Sequence, residues 1–125
     1  MKSRGNLVRL KQFQVNEKRR QLLQLDMMIA EFDRMAGELE YQINAEEKKA
    51  GITDTNHFAY PTFAKAARLR QENLKNSQAD LLQQKATAES LLAEAEAELS
   101  KAEMLESRDG KSREPEVDNR SAMIG

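Results

Sequence analysis

The chain contains no cysteine and no tryptophan, and only two prolines, five glycines and one histidine among 125 residues. Without cysteine there is no disulfide framework and no thiolate nucleophile. One histidine and no cysteine leave a structural or catalytic transition metal almost no ligands. Aromatic residues are 5% of the chain, which is poor for a compact core. No apolar run comes near the roughly 20 residues that span a bilayer. The basic segment 1–10 has no apolar stretch of the kind a secretory signal needs. A dominant charge is missing too: 20 Lys and Arg against 21 Asp and Glu give a net −1, so the whole chain has no polyanion-binding signature. These absences point to a soluble, cytoplasmic, single-domain protein with no cofactor, no metal and no membrane insertion.

What the sequence does have is a heptad. Ala67, Leu74, Leu81, Ala88, Ala95 and Ala102 are each seven apart. At 3.6 residues per turn, that repeat keeps one narrow seam facing a partner helix. An earlier run over about 7–50 carries Val15, Leu22, Leu25, Ile29, Phe32, Ala36, Leu39 and Ile43, stepping by threes and fours with one skipped place at Lys18. A polar residue on a seam weakens packing and fixes register. Gly37 is the weak spot of this run, costing about 1 kcal/mol relative to Ala. Gly51 is a suitable C-terminal stop.

The segment 51–60 breaks the period and reads as a loop, with one short helical turn near Asp54. Pro61 suits the first turn of a second helix over 61–106. From 107 the periodicity ends; Gly110 and Pro115 interrupt a polar stretch, and 107–125 reads as a flexible, disordered tail. The expected fold is all-α: a long antiparallel two-helix coiled-coil hairpin over 1–106, with helices of roughly 65–70 Å. Charge agrees with antiparallel pairing. Residues 1–20 carry seven basic groups and one acid, Glu17, whereas residues 86–106 carry six acids and one base, Lys101. Between the heptad residues, the second helix offers Arg70 or Gln71, Ser77 or Gln78, and Gln84 or Lys85, then turns apolar at Leu91, Leu92, Leu99 and Leu105. Packing should therefore be best near the chain termini and looser toward the loop.

Two groups of residues are candidate partner sites. At the loop end, Phe58, Tyr60 and Phe63 crowd together beside His57, with Tyr41 able to reach them across the hairpin. They read either as a plug that caps the hairpin or as a docking knob, since tyrosine is enriched at interface hot spots. At the other end, the basic residues Lys2, Arg4, Arg9, Lys11, Lys18, Arg19 and Arg20, which lie beside Leu7 and Leu10, oppose the macrodipole of a helix N-terminus. They read either as balanced by the acidic stretch of helix two or as a contact for an acidic partner. Nucleic acid is disfavoured, because neighbouring acids cancel the field and only Phe13 could stack. Gly110-Lys111-Ser112 imitates the end of a phosphate-binding loop, but the required earlier glycine is Leu105. Met27, Met28 and Met35 read as packing or surface residues. Carboxylate pairs such as Glu46–Glu47 read as lying on a solvated helix with nothing to perturb them. No enzyme is indicated.

Two motifs carry a family resemblance. Ser3-Arg-Gly-Asn-Leu-Val-Arg-Leu-Lys-Gln-Phe-Gln-Val-Asn-Glu-Lys-Arg-Arg-Gln21 and His57-Phe-Ala-Tyr-Pro-Thr-Phe-Ala-Lys-Ala-Ala67 resemble the FliJ family of flagellar export proteins, in its alphaproteobacterial version. The likeness covers about residues 1–106. It implies an antiparallel two-helix coiled coil similar to the central stalk of rotary ATPases, peripheral to the cytoplasmic face of the flagellar base. It implies three partners: the hexameric flagellar export ATPase, whose ring assembly the family promotes, the large export-gate membrane protein, and export chaperones. On this resemblance Arg4, Leu7, Arg9, Leu10 and Lys11 would face the ATPase, and the loop end with Tyr41, His57, Phe58, Tyr60 and Phe63 would face the gate. The alternative is a structural coiled coil that self-associates.

Overall fold

The computed structural model describes the backbone of residues 2–124 and the side chains of residues 5–109. The described residues form two helices, α1 (Lys2–Ala50) and α2 (Thr62–Ile124), which pack against each other in antiparallel fashion. Among the described residues there is no strand.

Helix α1 starts five residues before the first expected helical position, Leu7. Backbone hydrogen bonds, not a seam, define a helix, and only Gly5 resists helix formation there. Helix α2 likewise continues past Glu106, its expected end: residues 107–109 are helical. The remainder of the expected tail, from 110 onward, lies outside the residues whose side chains are described.

Gly51 ends α1 as its composition implied. Its φ is +70°, the left-handed region, which costs a residue with a Cβ about 1–2 kcal/mol. The amides of Gly51 and Ile52 both donate to the Glu47 carbonyl, at 2.8 and 3.2 Å. The second bond and the packing of Ile52 against the core are the marks of a Schellman ending. The Asp54 carboxylate then accepts from the Asn56 amide at 2.9 Å, and the Asp54 carbonyl accepts from the His57 amide at 3.1 Å. This makes a turn at the expected place, though not a helical one. Pro61 is the N-cap of α2 and not its first helical residue: its carbonyl accepts from the Lys65 amide at 3.0 Å.

The heptad is the buried stripe of α2. Ala67, Leu81, Ala88, Ala95 and Ala102 are buried, and Leu74 is half-buried against the core. On α1, Val15, Leu39 and Ile43 are buried, while Lys18, Leu22, Leu25, Ile29, Phe32 and Ala36 are half-buried. Gln71, Gln78 and Lys85 occupy the interleaved positions of α2; Arg70, Ser77 and Gln84 are exposed.

The chain divides into two compact units, Leu23–Thr87 and a second formed by Met1–Leu22 with Ala88–Gly125. In the first, Leu39, Ile43, Tyr60, Ala64 and Ala67 form one buried cluster, joined by Ile52 and Leu74. In the second, Val15 is fully enclosed, and Ala88, Ala95 and Ala102 are its other buried apolar residues. Lys11 reaches Glu98 at 2.6 Å and Arg19 reaches Glu96 at 3.1 Å. Those bonds join the basic and acidic stretches that the sequence places opposite each other. The expectation that packing loosens toward the loop is overturned. Among the described residues, the one multi-residue core cluster lies at the loop, because Tyr60 folds inward and the polar seam positions there are hydrogen-bonded instead of bare.

Candidate functional site

The loop is held to the helices by three side chains. Glu47 is in the last turn of α1, Tyr60 lies just before α2, and Arg68 is in its second turn. Tyr60 Oη donates to Glu47 Oε2 at 2.6 Å, Arg68 Nε donates to Tyr60 Oη at 2.9 Å, and Arg68 Nη2 donates to Glu47 Oε2 at 2.8 Å. Tyr60 and Glu47 are each 7% exposed. Burial of a carboxylate is tolerated only when its charge is paired and hydrogen-bonded. The Arg68 bond, with that of Tyr60, holds the Glu47 carboxyl below its ordinary value. Burial, reinforced by the bond to Glu47, raises the Tyr60 phenol. Glu47 in turn holds the Arg68 guanidinium above its usual range. This corrects the reading of Glu46–Glu47 as an unperturbed, solvated pair.

The aromatic residues expected to gather at the loop do not form one cluster. Tyr60 points into the core, Phe58 is 97% exposed, Phe63 54% and Tyr41 77%. His57 stacks on Phe58 with ring centroids 4.8 Å apart, and its Nδ1 accepts from the Ala59 amide at 3.0 Å. The plug is therefore Tyr60 alone, and the projecting surface is the His57–Phe58 pair. Beside it an open groove of about 570 Å³ is lined by residues including Tyr60, Thr62, Lys65, Arg68 and Leu69.

At the basic end, the Arg4 side chain lies outside the described residues. Leu7 is half-buried, Arg9 is exposed, Leu10 is 50% exposed and Phe13 60%. Lys11 is half-buried and paired with Glu98, whose carboxyl it holds below its ordinary value. Arg9, Leu10 and Phe13 thus form the accessible part of this surface.

Sequence reasoning missed Glu47 and Arg68, and it missed a signal that could have found them. Acids recur every seven residues on α1, at Asp26, Asp33, Glu40 and Glu47. Each meets a polar side chain of α2. Lys85 Nζ reaches Asp26 at 2.8 Å, Gln78 Nε2 reaches Asp33 at 2.5 Å, and Gln71 Nε2 reaches Glu40 at 2.8 Å.

No family model, curated protein or solved structure matches the chain. Among the described residues, no helix is long and apolar enough to cross a membrane. None of their acidic and imidazole side chains group to hold a metal ion.

Proposed function

We propose that the chain is a non-catalytic, stalk-like adaptor of the flagellar type III export apparatus. In this reading it binds the hexameric export ATPase, promotes its assembly, and links it to the export gate and chaperones at the cytoplasmic face of the flagellar base. The observation that carries the proposal is the pair of motifs at 3–21 and 57–67. They stand on an antiparallel two-helix hairpin, the fold their family resemblance implies. The two motifs supply chemically different surfaces: Arg9, Leu10 and Phe13 at the start of α1, and His57–Phe58 at the loop. Large exposed apolar groups beside charge suit recognition of other proteins.

The test is a pair of binding assays. Arg9→Glu with Leu10→Ala weakens binding to the export ATPase and leaves helix content unchanged; unaltered affinity removes that surface. Phe58→Ala impairs gate binding and spares ATPase binding. Arg9 is the better probe than Lys11, because reversing Lys11 also breaks the bond to Glu98.

One observation favours the second reading, a self-associating coiled coil. Leu23, Met27 and Tyr41 are 60%, 64% and 77% exposed and, with Ala30 and Gly37, lie along α1 at steps of three, four and seven. Mass measured over a concentration series separates the two: the adaptor stays monomeric alone, the structural coil assembles.

A further inference from the structure

The bonds across the unit Leu23–Thr87 repeat with the period of the heptad itself. Gln71 meets Glu40, Gln78 meets Asp33, and Lys85 meets Asp26, each rung seven residues further along α2 and seven back along α1. Gln71 and Gln78 also donate to the Ala36 and Ile29 carbonyls, at 3.3 and 3.4 Å, which repeats the same offset. A polar seam residue usually fixes register because its partner occurs once. Here the partners recur toward the loop, so the rungs do not exclude a shift of one heptad in that direction.

Consider a slip of one heptad, about 10 Å, that brings later α2 residues toward the loop. Gln71 then faces Glu47, Gln78 faces Glu40 and Lys85 faces Asp33, so every rung finds an acid. The seam tolerates the same move. By the native register Ile43 stands across from Ala67 and Ala36 from Leu74; after the slip Ile43 faces Leu74 and Ala36 faces Leu81. In the other unit, Arg19 meets Glu96, and Glu89 and Glu103 repeat that acid one heptad to either side. A slip in the opposite sense is not equivalent. It leaves Lys85 without an acid, since the next position in the α1 series, 19, is arginine.

What the slip forfeits is the loop cluster, together with the Lys11–Glu98 bond, since Lys11 would then face Leu105 and Asp26 would face Leu92. Seven residues at the start of α2, from Thr62 to Arg68, would leave the seam. The bonds from Tyr60 and Arg68 to Glu47 would break, and Tyr60 and Ala64 would lose their burial. We propose that the hairpin has two heptad registers, and that the Glu47–Tyr60–Arg68 cluster is a latch that holds the observed one. Anything that engages the loop and draws Tyr60 or Arg68 away from Glu47 would release α2 to slide by one heptad. The device is independent of the export reading.

The absence of cysteine makes the register directly readable. Ala36→Cys with Leu74→Cys reports the observed register, and Ala36→Cys with Leu81→Cys reports the slipped one. Disulfide closure needs Cα atoms within about 7 Å, so one pair cannot substitute for the other. With the latch intact, the 36–74 disulfide forms and the 36–81 disulfide is scarce. With Tyr60→Ala and Arg68→Ala added, the 36–81 fraction rises at least about tenfold at the expense of 36–74. A helical latch variant that still closes only 36–74 overturns the proposal.

If that latch variant does not fold, the 36–81 pair is combined with Tyr60→Phe, which removes only the hydroxyl that bonds Glu47 and Arg68, and refolded under oxidising conditions. Closure with a cooperative melt and a loss of about two turns of helix, some seven residues, supports the second register. Failure to close, or closure with collapse of the helix signal, overturns it.

Discussion

The same substitution, Gly→Ala, should have opposite effects at two positions of α1 and its ending. At both Gly37 and Gly51 an added Cβ meets nothing within 4 Å, so packing does not decide the outcome. The backbone does. Gly37 is inside α1 and exposed, where Ala restricts the unfolded chain and favours helix by about 1 kcal/mol. Gly51 sits at φ +70°, where a Cβ costs about 1–2 kcal/mol. For a domain of this size, each kcal/mol moves the melting temperature by about 4 °C. Gly37→Ala is therefore expected to raise the melting temperature by about 4 °C, and Gly51→Ala to lower it by about 4–8 °C. Gly51→Asn should lie between wild type and Gly51→Ala, because Asn tolerates the left-handed region. Circular dichroism at the helical band, melted at fixed protein concentration, reads all three. Shifts of the same sign at 37 and 51 would refute the reasoning. A destabilising Gly37→Ala would mean that this face of α1 is covered. A neutral Gly51→Ala would mean that the helix does not end in the left-handed cap.

The loop cluster should behave as one unit. Tyr60→Phe and Arg68→Met each lower the melting temperature, and the double variant loses less than the two losses added together, because both act through Glu47; strict additivity would dissolve the cluster into independent contacts. Stability should also fall at both extremes of pH. Glu47, Glu98 and Glu31 have folded values below their unfolded ones. Their contribution is complete above the ordinary glutamate value of about 4.3 and is lost as pH falls through the folded values. Tyr60 has a raised folded value, so its contribution holds below about 10 and is lost above it. A melting temperature flat from pH 6 down to pH 3 would contradict the carboxylate assignment, and Glu47→Gln should blunt the acid limb.

The long elements were legible because they rest on a signal that sequence carries well. Six apolar residues at strict sevens specify a helix and the face it buries, and all six are buried or half-buried. The glycine stop at 51 was equally legible, since the left-handed ending selects for that residue. The interleaved seam was not. Arg70 and Gln71 are adjacent polar residues, and hydrophobic periodicity cannot choose between them; only the acid that Gln71 reaches on α1 does. The loop failed for a related reason. Phe58 and Tyr60 look alike in composition, yet one hydroxyl, bonded to a buried carboxylate, turns Tyr60 inward while Phe58 projects. The acidic heptad from Asp26 to Glu47 was visible throughout, but acids on a helix read as a solvated face unless their partners are known.

The proposed role of this hairpin is that of a stalk for an export ATPase. Its most direct test is the hydrolysis rate and mass of the cognate flagellar export ATPase, measured with increasing amounts of this chain. Both are expected to rise together, and Arg9→Glu with Leu10→Ala to suppress the rise. No change in rate or mass, with no binding at high protein concentration, would contradict it.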